Sequence, residues 1–170
     1  MTLQGGAPRR LRSVAWRFFG GLDARGRPTW TSDERGAAIV QADAHAEVSV
    51  VFEPRSQVWL MLHLGDCEGA ACSIQMRYAY EPWGPFHDGG VVFTSPTTRL
   101  VDPAAVEGTR MTNNLVKPYA PYLVSNWFSG DGNALTIYYV MSSYYPNYEA
   151  FLMKAVVDIY CVSAGSAVFR

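Results

Sequence analysis

The sequence predicts an all-β fold of short antiparallel strands stacked in sheets, on three observations. Short runs of β-branched and aromatic residues recur between clusters of Gly, Pro, Asp, Asn and Ser. No stretch shows a helical period with caps at both ends. The 170 residues are 49% hydrophobic and 14% aromatic, enough for a core and about the length of one domain.

The elements follow in order. Residues 1–15 read as an irregular segment. Val48–Phe52, Val58–Leu64, Ser73–Tyr80 and Val91–Thr94 form a first set of strands, separated by EPRSQ, GDCEGAAC and EPWGPFHDGG. Tyr122–Trp127, Leu135–Ser142 and Ala150–Ile159 form a second, separated by FSGDGNA and SYYPNYE. GDG ahead of an apolar run is a hairpin signal. Asp102–Gly108 has room for one helical turn. VWLMLHL and LTIYYVM are nearly continuous in apolar character, which predicts strands covered on both faces.

The two sets resemble each other. Trp59–Leu60 match Thr136–Ile137, and Met76–Arg77 match Met153–Lys154, both 77 residues on. A recurring four-stranded antiparallel unit is the pattern of a β-propeller blade. At about 40–50 residues per blade, the chain holds roughly two to two and a half. The fold expected is thus a partial β-propeller over 16–170, with blades at about 46–94 and 118–160 and a linker at about 95–117. Such a stack leaves an apolar sheet face open at each end. It needs another chain, a self-copy or further blades to close it.

Composition narrows the function. With 14 basic and 15 acidic residues the net charge is -1, which argues against a nucleic-acid partner. No apolar run reaches the roughly 18 residues of a membrane span. Near the N-terminus Arg17 interrupts an apolar run shorter than the about 7–15 residues of a secretory signal. The chain as written is expected to be cytoplasmic, or a piece of a protein whose export signal lies elsewhere. Cys67 and Cys72 are either a small-loop disulfide or two free thiols at a hairpin tip, the latter favoured. Cys161 reads as a small core residue. CX4C lacks a second ligand pair, so no metal and no cofactor are predicted.

AEVSVVFEPRSQVWLMLHL, RYAYEPWGPF and YAPYLVSNWFSGDGNALTIYYVMSSYYPNYEAFLMKAVV resemble the last blades of the domain-of-unknown-function family 4185. The resemblance runs from about Trp16 to Asp158. It is most specific in the final segment, where DG, LTIYY, the YYP loop and FLMK keep their order. It implies a five-bladed propeller of the kind found in endo-D-arabinanases of glycoside hydrolase family 183, which cut mycobacterial cell-wall arabinan. It also implies an extracellular or cell-surface setting. The family's N-terminal blades have no counterpart here. In related enzymes an early blade carries the second carboxylate, so hydrolysis is expected only when other blades complete the ring.

Glycoside hydrolysis needs two carboxyl groups across the scissile bond. Glu47 is the candidate general acid. The resemblance maps it onto a Glu in the family's similar motif, and the acid role follows from related propeller enzymes. A carboxyl at the edge of an apolar strand can hold its proton through desolvation; the alternative is a solvated strand-end Glu. Tyr119 and Tyr122, in YAPY ahead of a first strand, are candidates to face sugar C–H groups while their phenols reach hydroxyls. Asn114 and Lys117 are candidates to bond hydroxyls, and His45 to assist Glu47. Asp33 and Glu34 read as a surface turn, Asp131 as a turn residue, and His63 as a satisfied core residue. Trp83, Phe86, Tyr144, Tyr145 and Tyr148 read mainly as covers over core ends. The function expected is a carbohydrate-active propeller fragment, with a polysaccharide or oligosaccharide as partner. The rivals are a non-catalytic carbohydrate-binding module and a structural assembly module.

Overall fold

The computed structural model describes residues 16–68, 71–95, 118–143, 148–162 and 166–169. The chain divides into two units, Met1–Ile39 and Val40–Arg170. Asn114, Lys117, Tyr144, Tyr145 and the helical turn expected at 102–108 lie outside the described residues.

In the first unit β1 (Phe18–Leu22) and β2 (Pro28–Thr31) form an antiparallel hairpin. Asp23 organises its turn, accepting from the backbone N–H of Arg25 at 2.8 Å and of Arg27 at 3.0 Å. The Arg27 backbone N–H, followed by its guanidinium, holds the Asp23 carboxyl below the ordinary range. Asp33 caps a short 3-10 turn over Glu34–Gly36, and both acidic side chains are exposed, as a surface turn requires. The hairpin escaped sequence reading because Gly20, Gly21, Arg25 and Arg27 interrupt its apolar pattern.

The second unit is all antiparallel β. β3 (His45–Glu53), β4 (Val58–Glu68), β5 (Ala71–Ala79) and β6 (His87–Thr94) form a meander in that order. β7 (Pro118–Leu123), β8 (Ser129–Asp131), β9 (Ala134–Ser143), β10 (Glu149–Val162) and β11 (Ser166–Phe169) form a second sheet, ordered β11-β10-β9-β7. β8 continues the edge that β7 begins, pairing with the other end of β9. The strand expected over Tyr122–Trp127 is therefore corrected: it stops at Leu123, and Ser125–Trp127 is a 3-10 turn. That turn is closed by Trp127 N–H to Val124 C=O at 3.0 Å. The GDG hairpin is present, with Gly132 at φ 56° between β8 and β9.

The two sheets stack face to face. Leu60, Leu62, Ile74 and Met76 from the first meet Leu135, Ile137, Tyr139 and Met141 from the second, all fully buried or within 1% of it. Inner strand β7 lies against β3, and outer strand β11 approaches β6. Backbone polarity gives the orientation, because for L-residues the face a side chain takes is tied to the direction of its own N–H and C=O. On β5 the core-facing side points its backbone groups outward: Cys72 C=O accepts from Ser95 N–H at 2.8 Å beyond β6. On β10 it points them inward: Ile159 N–H donates to Asn133 C=O at 2.6 Å. Two sheets related by a flip would show the same sense. Opposite senses mean both sheets keep one orientation, as successive blades do, and the unit is a partial β-propeller of two four-stranded blades.

This orientation corrects the 77-residue repeat. Leu60 and Ile137 both point into the shared core from facing sheets, as do Met76 and Met153. Equivalent residues of successive blades must point the same way round the ring, and a one-residue slip reverses every side chain. The matching of the two sets survives; its register moves by one residue on each strand.

Coverage also differs from expectation. β4 is covered on both faces, since Met61 and Trp59 pack with Ala79, Phe86 and Ala44 behind the sheet. β9 alternates strictly between buried and half-buried positions, because no such layer backs the second sheet among the described residues. The favoured free thiols are corrected as well. The β4–β5 register sets Cys67 directly opposite Cys72, with Cα atoms 4.2 Å apart, and the two are joined as a disulfide.

Candidate functional site

The first strands of both blades share a device. On β3, Ala46 and Glu47 fall between the His45–Leu64 and Val48–His63 pairs. On β7, Ala120 and Pro121 fall between the Tyr119–Ser142 and Tyr122–Val140 pairs. Each bulge has an alanine in the left-handed region, Ala46 at φ 57° and Ala120 at φ 49°. A Cβ in that region costs on the order of 1–2 kcal/mol. Bulges of this kind re-aim side chains and recur beside functional sites.

Glu47 sits in the first bulge with an exposed side chain. The described residues do not supply the apolar enclosure expected around it. His45 stands before the bulge, its Nε2 3.2 Å from Asp66 Oδ1, and both side chains are more than half exposed. On β7, Tyr119 is half-buried and meets the Tyr148 ring edge-on, with centroids 6.2 Å apart. Tyr122 is exposed on the open face of the second blade. Phe86 is buried with Met61 and Ala79, and so covers its own blade.

A second feature, unmarked by the sequence reading, lies on the open face of the first blade. Asp43, Asp66, Gln75, Arg77 and Asp88, edged by Gly90 and Val91, line an open cleft of about 330 Å³. His63 lies at its base, fully buried. Arg77 Nε donates to His63 Nε2 at 3.0 Å. Nε2 is therefore the acceptor, so Nδ1 carries the proton and donates to Leu64 C=O at 2.8 Å. The guanidinium also pairs with Asp43. The Gln41 amide first, and then the Arg77 charge, hold the Asp43 carboxyl below its usual range against some desolvation. Arg77 thus anchors the segment that crosses the sheet into β3. Its isolation between Met76 and Tyr78 was legible in the sequence, but its partners stand 34 and 14 residues away.

Burial, above all, pushes the His63 imidazole down, and the Arg77 charge adds to this. The unfolded chain therefore takes up this proton first as pH falls through about 6.5. The neutral ring's contribution is complete above pH 6.5 and is lost progressively below it. Urea midpoints at pH 7.5 and 5.0 are expected to show the drop, and His63→Gln to flatten it. An equal slope in the variant would assign the drop elsewhere. Asp23, Asp33 and Asp43, all held down from 3.8, act in a separate window at lower pH.

Among the described residues no group of three or more His, Cys, Asp or Glu side chains is placed to hold a metal ion, and no helix is long and apolar enough to cross a membrane.

No protein family model and no curated protein matches this chain. Among solved structures, the glycoside hydrolase family 43 YxiA protein from Bacillus licheniformis aligns with 90% of this chain at 14% identity and a TM-score of 0.35. The chain spans 39% of the length of that structure. A likeness this slight establishes neither fold nor activity. The all-β, blade-like architecture rests on the strand order, core and backbone polarity described above.

Proposed function

We propose that this chain is part of a carbohydrate-active propeller, a glycoside hydrolase acting on cell-wall arabinan-like polysaccharide once further blades complete its ring. The observation that carries this reading is Glu47. It is a carboxyl at the strained bulge of a first strand, in a segment that resembles the arabinanase-like family 4185. In this reading Glu47 donates a proton to the leaving oxygen, and a carboxylate on another blade acts as base or nucleophile. The completing blades supply the enclosure that a general acid needs. Tyr119 and Tyr122, near the second bulge, offer aromatic surface to the sugar, and His45, Asn114 and Lys117 offer polar contacts. The disulfide at Cys67–Cys72 agrees with an oxidising, extracellular setting.

The test is incubation of the full chain with arabinan and analysis of released oligosaccharides. Release that falls about a hundredfold or more in Glu47→Gln, the size of a lost general acid, is the expected result. Binding without release, unchanged in that variant, would support a non-catalytic carbohydrate-binding module, a reading favoured by the exposure of Glu47. Neither binding nor release would reject the carbohydrate assignment.

A further inference from the structure

Each blade keeps one face outside the shared core, and the two open faces complement each other. On the first blade the register places Val48, Val50 and Phe52 of β3 and Val91 of β6 on the open side. They are 42%, 38%, 40% and 56% exposed. Beside them lies the cleft in which Asp43, Asp66 and Asp88 outnumber Arg77. With Asp43 engaged by Arg77, Asp66 and Asp88 leave an acidic excess.

On the second blade Leu152 and Val156 of β10 and Tyr122 of β7 face outward, 58%, 60% and 51% exposed. Lys154 stands between Leu152 and Val156 on the same face, exposed, and makes no ion pair among the described residues. An apolar strip with one cation in its middle thus matches an apolar strip with an acidic cleft beside it. Single exposed apolar residues need no explanation, but contiguous ones on an open sheet face mark a contact surface.

The geometry within the chain says how such faces meet. Both blades keep one orientation, so the core face of the first has the same sense as the open face of the second. The reverse holds for the remaining pair. Repeating the intrachain stacking between molecules therefore sets the open face of the second blade on the open face of the first blade of another molecule.

We propose that a second copy of this chain occupies that face, joined head to tail, with Lys154 of one copy entering the acidic cleft beside Asp88 of the next. A contact between unlike faces closes into a ring when its rotation permits and otherwise continues as a filament. Blades in a wedge-like stack turn steadily round an axis, which favours closure with a few copies. The inference rests on the blade reading of the fold and is independent of the sugar chemistry. It names the completing partner that the proposed function leaves open.

Sedimentation velocity of the full chain across micromolar concentrations tests it. The expected result is a discrete self-associated species. Lys154→Glu raises its dissociation constant at least about tenfold, as loss of a close interfacial charge pair does. Asp88→Lys does the same. The double variant K154E/D88K exchanges the charges and regains most of the affinity, which a general surface effect would not produce. Far-UV circular dichroism confirms that the variants fold, and both substituted side chains are exposed. A monomer at every concentration overturns the proposal. So does an association indifferent to Lys154→Glu, or a double variant no tighter than the singles. The measurement contains no sugar, so its failure leaves the arabinan assay standing, and failure of that assay leaves this result standing.

Discussion

Leu60→Ala is expected to lower the folding stability by about 3–4 kcal/mol, within the range for a buried leucine truncated without full collapse of the cavity. Leu60 is fully buried at the centre of the first blade, among the side chains that meet the second. Its removal takes contacts from both sheets at once. The two blades share one core, so circular dichroism and tryptophan fluorescence should lose signal together in urea, with the midpoint shifted and the slope unchanged. Val156→Ala provides the contrast. That residue is 60% exposed on the open face, and its truncation should stay within about 0.5 kcal/mol in the monomer. Comparable losses in the two variants would show that the shared layer is not the principal core.

Alkali is expected to produce the second large effect. Burial pushes the Tyr139 phenol up from 10.0 to about 12. Below pH 10 the phenol is neutral in both folded and unfolded chains, and its contribution is complete. Between about pH 10 and 12 the unfolded chain releases the proton and the folded one retains it. Stability therefore falls as pH rises, by up to about 2.7 kcal/mol for a two-unit difference. Burial shifts Tyr78 in the same direction and adds to the slope. Urea midpoints at pH 9 and 11.5 measure the loss, and Tyr139→Phe should remove the larger part. An unchanged slope in that variant would mean the ring is reached by solvent before the fold opens.

Both effects were partly legible in the sequence. LTIYYVM is plainly a strand, and Tyr139 had to point to one of its two faces, but only the partner sheet decided which. The same holds for Leu60. Its strand was evident from VWLMLHL, while the alignment of Leu60 with Ile137 concealed that the two face each other. Periodicity along a strand carries the alternation of faces and leaves open which face meets which neighbour.

The candidate site divides in the same way. Glu47 stood out as a carboxyl opening an apolar strand, and the structure adds the bulge that presents it and the matching bulge at Ala120. That bulge was not legible, because alanine in the left-handed region leaves no mark of the kind glycine does. The Arg77–His63–Asp43 network was invisible for another reason. Its members come from two neighbouring strands and a crossing segment, and no local spacing encodes a contact made by lateral pairing. Cys67 and Cys72 show the intermediate case: their separation allowed a bridge, and the register of β4 on β5 brought them opposite each other.

By itself the sequence determined the class of this protein. Turn residues and β-branched runs act over a few neighbours, so all-β structure, the main strands, the GDG hairpin and the two-blade extent follow from local chemistry. Tertiary structure alone decided the orientation of one blade on the other, the true register of the repeat, and which faces stay open. These depend on the hydrogen-bond polarity and packing of residues far apart in the chain, where chirality and close contact choose among arrangements that local preference leaves equal.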